Sequence, residues 1–396
     1  MRTILILLMG SALCLTAAAQ KLPVLRSHTR SIDVRDGHNF YKAYWTATPE
    51  VRKDIYYAHR FSKTNTVTFY SDLDSVTFNV RPDRRYPFII LLDQKDSCYT
   101  EINTSRTSYF KDPGSGVITN DTIPFTLGRD NRVYLTGRVN GSRELKFFFD
   151  DGADNLILFP SALQKGVQVR FDDSIADRAG DVQMRKTGNA DVLAIRKLRW
   201  RNEQVMYINK QIGEGDGTIG YDLFENKLIE IDYEKQRMII HDKAFPPGKG
   251  YRRFPMQLQG GTVPFINATV INKGQQISAD FLFDMGATGC LFLNSGFLKK
   301  NKLYGTMEVT GDARSTGGGD LVVRTTKAIL PGFIFGGYPL KDMPVNLEDP
   351  AVHDPGTGTL GMDLMKRFNT ILDYQHNVIW LKPNKLIHTP FKQAQK

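Results

Sequence analysis

The chain has 396 residues, of which 41% are hydrophobic and 24% charged, and its formal net charge is +10. This length predicts two or three domains, since one domain takes about 100–200 residues. The composition is that of a globular protein and excludes collagen-like, coiled-coil and disordered chains. The positive charge is spread along the sequence, and helix-turn-helix, zinc-finger and RNA-recognition signatures are missing, so we expect no nucleic-acid partner.

The first residues have the pattern of a secretory signal. Met1 to Thr3 carry a positive charge, Ile4 to Leu15 are apolar, and Ala17 to Ala19 are small,. We therefore expect residues 1–19 to be a signal peptide and the protein to be exported to the periplasm, the cell surface or the medium. Cys14 leaves a lipid anchor open, although the bulky residue before it fits that cleavage poorly. We expect no transmembrane segment, because no apolar run reaches the ~20 residues that a spanning helix needs.

Two turn-rich stretches divide the remaining chain. They are Lys111 to Gly116 and Phe245 to Gly250, both rich in glycine and proline,. The sequence therefore predicts three segments, which are 20–112, 117–245 and 250–390.

The first of these segments has the pattern of β-strands. Residues Thr66 to Tyr70 and Val76 to Val80 alternate between apolar and polar, and Phe88 to Leu92 form a continuous apolar run that suits a central strand,. These patterns predict a small β-sandwich. The segment resembles an N-terminal β-module found ahead of catalytic domains in exported bacterial proteins. Asp72 and Asp74 fit a polar turn between strands better than part of a calcium site.

The other two segments repeat each other, which indicates an internal duplication. Residues Phe147 to Ala153 and Phe281 to Ala287 share five identities in seven positions at an offset of 134. Residues Gly217 to Leu223 then match Gly358 to Leu364 at an offset of 141. Both halves thus contain an Asp-x-Gly-Ala motif, followed about 70 residues later by a Gly-Thr-x-Gly motif.

The surroundings of the two motifs are also repeated. Strand patterns at Arg132 to Val139 and Val263 to Ile271 each lead through a tight Asn- and Gly-containing turn into the strand that ends at the motif aspartate. Asn-Gly between two strand patterns is typical of a β-hairpin. The Gly-Thr-x-Gly motifs are followed by Ile231 to Tyr233 and Leu372 to Tyr374, which both end in Asp-Tyr. One ancestral β unit therefore occurs twice.

In this ordered set of motifs the chain resembles the aspartic proteases of the retropepsin and pepsin type. The resemblance covers about residues 121–383, and the tandem arrangement is similar to the single-chain, two-lobed form. It implies an all-β fold, with a two-lobed pepsin/retropepsin-like double β-barrel preceded by the small β-sandwich-like domain. It also implies a monomeric endopeptidase (a hydrolase), with no cofactor and no metal.

The resemblance places the catalytic dyad at Asp150 and Asp284. Two carboxyl groups about 3 Å apart cannot both ionise, so they share one proton, and the ionised member activates a water molecule. We expect the loops to be supported by residues within the two motifs and behind them: Asp151, Gly152, Ala153, Met285, Gly286 and Ala287, with Ile219, Gly220, Leu360 and Gly361.

The family binds a peptide or protein substrate in the groove between its lobes, paired with strands, and closes the groove with a mobile hairpin flap. The flexible region Gly311 to Gly319 is the candidate in the second lobe; an ordinary long hairpin loop is the alternative. The first-lobe equivalent is Arg178 to Asp181. The second-lobe candidate residues are Arg314, Ser315, Thr316, Gly317 and Gly318.

The sequence departs from the family at the middle position of both motifs. There the family has a Thr or Ser hydroxyl that bonds across to the other loop, whereas this chain has Asp151 and Met285. A catalytically silent, retropepsin-like peptide-binding protein is therefore an open alternative, and a carbohydrate-binding surface protein is a third. Cys290 fits a buried thiol better than a reactive one. The histidines are isolated, which argues against a metal site.

Overall fold

The computed structural model describes residues 21–37, 39–50, 54–58, 64–82, 84–104, 108–111, 120–153, 156–171, 173–177, 183–224, 227–241, 245–259, 263–316, 322–352, 354–374 and 376–391. The predicted signal peptide, Cys14 and most of the first predicted linker lie outside these residues. Among those described, no helix has the length and apolar character that crossing a membrane requires.

The N-terminal part consists of two four-stranded sheets with a common hydrophobic core. Its strands are β1 (Val24–Ser27), β2 (Ser31–Asp36), β3 (Asn39–Thr46), β4 (Asp54–Tyr57), β5 (Asn65–Tyr70), β6 (Ser75–Val80), β7 (Arg85–Leu92) and β8 (Asp96–Asn103). One sheet has the order β1-β7-β8-β4 and the other β3-β2-β5-β6. Aromatic residues such as Phe69 and Phe88 are completely buried between them, with ring centroids 4.9 Å apart. The expected small β-sandwich is confirmed.

Local chemistry explains the turns of this part. β5 and β6 form a hairpin, and Asp72 in its turn accepts hydrogen bonds from the Ser27 hydroxyl and the His28 backbone N–H. Asp72 therefore fastens the turn to the end of β1. The apolar run Phe88 to Leu92, which predicted a central strand, belongs to β7, and β7 lies between β1 and β8.

The first-lobe sheet includes β9 (Ser108–Lys111), which pairs with another strand of this lobe. Its other elements are β10 (Asn120–Pro124), β11 (Thr126–Leu127), β12 (Val133–Val139), β13 (Leu145–Asp150), β14 (Leu156–Leu158), α1 (Pro160–Gln164), β15 (Asp173–Asp177), β16 (Gln183–Ile195), β17 (Leu198–Tyr207), β18 (Gly217–Gly220), a 3-10 turn (Tyr221–Phe224), β19 (Leu228–Asp232) and β20 (Arg237–His241).

The second lobe follows in a matching series. It contains β21 (Arg252–Pro255), β22 (Gln257–Gln259), β23 (Val263–Asn272), β24 (Gln275–Phe283), β25 (Leu291–Leu293), α2 (Ser295–Lys300), β26 (Glu308–Thr316), β27 (Val322–Phe335), β28 (Tyr338–Glu348), β29 (Gly358–Leu360), α3 (Met362–Met365), β30 (Phe368–Asp373), β31 (Val378–Pro383) and a 3-10 turn (Lys385–His388).

The two lobes have the same strand order. The first-lobe sheet runs β11-β12-β13-β18-β14-β17-β16-β15, and the second runs β22-β23-β24-β29-β25-β28-β27-β26. Each sheet closes on itself by a further pairing, β12 with β16 and β23 with β27. The expected all-β, two-lobed double barrel is therefore confirmed, and the sequence duplication is a duplication of topology.

A third sheet joins the lobes. Its order is β10-β20-β19-β30-β31-β21, with three strands from each half and the β19–β30 pair at its centre. Beneath it one continuous core contains residues of both lobes, including the fully buried Phe147, Phe149, Phe281 and Phe283. These phenylalanines belong to the strands that carry the two motif aspartates. Their burial in the core therefore fixes the position of both strands.

Candidate active site

The two motif aspartates stand at the ends of equivalent strands. β13 ends at Asp150, and its parallel partner β18 places Gly220 opposite that residue. In the second lobe β24 is parallel to β29, and the Asp284 N–H donates to the Leu360 carbonyl oxygen at 3.1 Å. The Gly-Thr-x-Gly strands thus lie directly beside the strands that present the two carboxyl groups.

The structure brings these distant carboxyl groups together. Asp150, Asp151 and Asp284 each contribute an oxygen atom, and these atoms lie within 4.8 Å of one another. At a usual O–H···O distance of about 2.7–2.8 Å, one water molecule can bridge two carboxyl groups that far apart. The predicted dyad residues therefore share a site, and Asp151 lies in it with them.

Backbone N–H groups hold one oxygen of each dyad residue. The Asp150 Oδ1 atom accepts from the Gly152 N–H at 2.9 Å. The Asp284 Oδ1 atom accepts from the N–H groups of Gly286 at 2.7 Å and Ala287 at 3.1 Å. The Ala153 N–H also stabilises the charged form of Asp150, so two backbone N–H groups support each carboxyl group.

The two motif glycines have different roles. A Cβ atom on Gly286 would overlap the carboxyl group of Asp150, so this position requires glycine for the loops to meet,. A Cβ atom on Gly152 would lie 3.4 Å from its nearest neighbour, an ordinary contact. Of the two motif glycines, the close approach of the loops therefore requires Gly286.

A guanidinium group that sequence reasoning missed also belongs to the site. The Arg132 Nε–H donates to the Gly286 carbonyl oxygen at 2.7 Å, across the two lobes. The same side chain lies over the Phe148 ring at 4.5 Å and pairs with Asp130 at 3.2 Å. No local pattern connects Arg132 with a glycine 154 positions away, so only the assembled lobes show this contact.

Burial and mutual repulsion set the protonation of the dyad. Burial and the charge of Asp284 raise the pKa of Asp150 to about 7, against the lowering effect of the Gly152 N–H and Arg132. The pKa of Asp284 is also raised by burial, opposed by the N–H groups of Gly286 and Ala287 and by Arg132. The two carboxyl groups of the dyad therefore share one proton.

The middle residues of the motifs form a bond between the loops. The Asp151 Oδ1 atom accepts from the Met285 backbone N–H at 2.7 Å, and both side chains are fully buried. Asp151 thus makes a cross-lobe hydrogen bond through the middle position of its motif. The Met285 side chain has no group that returns the bond, so the arrangement is asymmetric.

Polar side chains behind the site also connect the lobes. Asn369 accepts from the Tyr233 N–H at 3.1 Å and donates to Asp232 at 3.2 Å. The Lys366 ammonium group donates to the Asn131 side chain at 2.9 Å. These contacts are buried or partly buried, so they restrict relative movement of the loops that carry the carboxyl groups.

Two long hairpins contain the regions that the sequence predicts as flaps. β26 and β27 pair up to Thr316 opposite Val322, with Arg314 opposite Arg324 and Ser315 opposite Val323. Gly317 and Gly318, the expected tip, lie outside the described residues. In the first lobe β15 and β16 pair up to residues 177 and 183, and the expected tip at 178–181 is also outside the described part of the chain.

Each hairpin carries an exposed apolar side chain near its tip. Met184 on β16 is 47% exposed and Val322 on β27 is 55% exposed. Both residues come within the first two positions of the returning strand. The two hairpins therefore present apolar surface at equivalent positions.

The three carboxyl groups also form a donor set that a divalent cation could use. However, four backbone N–H bonds already stabilise their oxygens, and Arg132 supplies a positive charge nearby. Cys290, the thiol nearest the second motif in sequence, is buried, and burial raises its pKa, so it is a core thiol.

Comparisons with known proteins give likenesses in structure. No protein-family model matches the chain, and a search of curated proteins finds no relative. Among solved structures, the aspartic proteinase from Irpex lacteus is similar at 12% identity and a TM-score of 0.48. The match covers 69% of this chain and 99% of that one. A TM-score below 0.5 does not assign chemistry, which has to come from the residues of this site.

Proposed function

We propose that this protein is an exported aspartic-type endopeptidase that hydrolyses peptide bonds with a water molecule activated by Asp150 and Asp284. One observation carries the proposal: equivalent Asp-x-Gly loops from two copies of one topology bring their carboxyl oxygens within 4.8 Å of each other. Two such groups, one neutral and one charged, are the requirement for general acid–base hydrolysis without a covalent intermediate.

We assign Asp284 as the base and Asp150 as the acid, which the raised pKa of Asp150 supports. Asp284, charged and held by two backbone N–H groups, accepts a proton from the water as its oxygen attacks the peptide carbonyl carbon. Asp150, with its pKa raised to about 7, donates its proton to the carbonyl oxygen. The resulting tetrahedral diol breaks its C–N bond as the leaving nitrogen takes the proton from Asp284. A diol hydroxyl gives its proton to Asp150 and becomes the carbonyl of the carboxylic acid product, which returns both residues to their starting states.

The substrate is a peptide or protein chain lying between the two lobes. The β15–β16 and β26–β27 hairpins would cover it, and edge strands would pair with its backbone. The N-terminal signal pattern supports export, and the single chain that holds both lobes supports a monomer, because the site needs no second copy.

A catalytically silent peptide-binding protein is the second candidate. Met285 favours it, since this residue replaces a hydroxyl and cannot bond across to the first loop,. Misplacing catalytic groups by about 1 Å can reduce a rate by ~10²-fold, so loss of one bond is enough to matter. Asp151 favours the enzyme, because it keeps a cross-lobe bond in place.

Cleavage of a peptide library between pH 3 and pH 8 tests the two candidates. We expect cleavage by the wild-type protein and a loss of several orders of magnitude in Asp150→Asn and in Asp284→Asn. The exposed Asp191, changed to Asn, is the matched control and should keep full activity. Cleavage that survives both dyad substitutions would exclude this mechanism. Peptide binding, measured by fluorescence anisotropy, without any cleavage would establish the binding protein instead.

A further inference from the structure

The two oxygens of Asp151 have different surroundings. Oδ1 accepts the cross-lobe hydrogen bond from Met285, whereas Oδ2 is buried with no hydrogen-bond partner among the described residues. A charged carboxylate with an unsatisfied buried oxygen costs several kcal/mol. A neutral carboxylic acid costs much less and offers a donor as well as an acceptor.

Two tyrosine hydroxyls share this property. Tyr233 and Tyr374 are the tyrosines of the two Asp-Tyr motifs, one in each lobe. Both hydroxyl groups are buried without a hydrogen-bond partner among the described residues. Burial raises the pKa of both phenols, and the charge on Asp151 raises it further. Neither hydroxyl hydrogen-bonds to Asp151, so neither stabilises a charge on it.

The neighbouring charges oppose ionisation of Asp151. Burial comes first, followed by the charges of Asp284 and Asp150, and together they hold the pKa of Asp151 well above its usual range. The Met285 N–H acts in the opposite direction, and Arg132 acts on the dyad residues. With Asp151 neutral, the site carries only the single negative charge of the dyad.

We propose that Asp151 is a positioning residue that works as a neutral carboxylic acid. Its Oδ1 atom accepts the Met285 N–H, and protonation of Oδ2 removes a buried charge that no hydrogen bond among the described residues compensates. One carboxyl group thus joins the loops where the related enzymes use a pair of hydroxyls. The role in positioning rests on the proposed function; the neutral state of Asp151 stands without it.

Substitution of Asp151 tests whether this residue works as a neutral acid. Asparagine keeps a carbonyl acceptor for Met285 and adds an N–H donor, so Asp151→Asn should keep kcat within the same order of magnitude. Asp151→Ala removes the cross-lobe bond and should lower kcat by about 10²-fold with little change in KM, since the residue does not touch substrate. A loss of kcat in Asp151→Asn as large as that in Asp150→Asn would overturn the proposal.

Infrared difference spectra give a readout that needs no turnover. The wild type minus Asp151→Asn should show the carbonyl band of a protonated carboxyl group at neutral pH, and the control pair with Asp191→Asn should show a carboxylate band. The Tyr233→Phe and Tyr374→Phe double variant should leave the Asp151 band in place, because neither hydroxyl bonds to Asp151. A carboxylate band for Asp151 would contradict the proposal. If the wild type cleaves no peptide, these spectra still decide the state of Asp151.

Discussion

At the scale of single residues, the site depends on groups that differ between its two halves. Gly286 allows the approach of the loops, while Gly152 has room for a side chain. Asp284 accepts two backbone N–H bonds through its side chain, and the N–H groups of Gly152 and Ala153 stabilise the charged form of Asp150. The duplicated motif therefore keeps its backbone support in both halves and differs in its glycines and middle residues.

The two motif glycines give a matched pair of variants. Gly286→Ala should lower kcat/KM by at least ~10²-fold, because its Cβ atom forces Asp150 out of position,. Gly152→Ala should change kcat/KM far less, since its Cβ atom makes only an ordinary contact. Peptide hydrolysis and melting temperature should be measured for both. Equal losses would show that the close approach at Gly286 is not what limits the rate.

The dyad predicts the pH dependence of hydrolysis. The active form carries one proton, and the pKa of Asp150 is about 7, so kcat/KM should fall above about pH 7. Arg132 lowers the pKa of both dyad residues, so Arg132→Gln should move the alkaline limb to higher pH. Arg129→Gln, which removes an exposed charge from the same loop, is the control. An alkaline limb that stays in place in Arg132→Gln would contradict this electrostatic role.

At the scale of elements, strands and tight turns place every group of the site. The Lys273-Gly274 turn has positive φ values at both residues and joins β23 to β24 with a two-residue connection,. A one-residue shift in this register would turn Phe281 and Phe283 out of the core, so packing fixes the position at which β24 ends. The aspartate that follows is thereby fixed as well.

The hairpins provide a prediction about substrate affinity. If they cover the substrate, the exposed Met184 and Val322 contact its apolar side chains. The double variant Met184→Ser and Val322→Ser should then raise KM several-fold with little change in kcat. Val309→Ser, an equally exposed residue at the start of β26, is the control. An unchanged KM in the double variant would show that the hairpins do not contact the substrate.

At the scale of the whole molecule, one continuous core and one shared sheet hold the lobes together. The β19–β30 pairing crosses between halves, and Asn369 bonds to residues of the first lobe. The dyad carboxyl groups, which are half-buried, are therefore enclosed by the assembly of both lobes rather than by either alone.

This burial makes folding stability depend on pH. The pKa of Asp150 is about 7 in the folded protein, against about 3.9 in an unfolded chain. The folded state keeps a proton that the unfolded state loses, so the stability from this group is complete below about pH 4 and declines as pH rises towards 7. Asp150→Asn should show a smaller decline in melting temperature between pH 4 and pH 7. An identical decline in variant and wild type would refute the shift.

Chelation distinguishes the dyad from a metal site. We expect EDTA to leave peptide hydrolysis unchanged, because N–H groups and Arg132 already balance the charge of the three carboxyl groups. A carboxylate-directed inhibitor of aspartic proteases is the positive control. Loss of activity with EDTA, restored by a divalent cation, would show that the carboxyl cluster holds a metal.

The sequence by itself determined the all-β class, the sandwich, the duplication and the two strands that end in Asp-x-Gly. Alternation and turn chemistry act between near neighbours, so short patterns record them. The catalytic assignment of Asp150 and Asp284 remains a prediction. Only the tertiary structure revealed the bonds from Asp151 to Met285 and from Arg132 to Gly286. Those partners lie more than 130 positions apart, and they meet because two copies of one fold pack face to face around a common core.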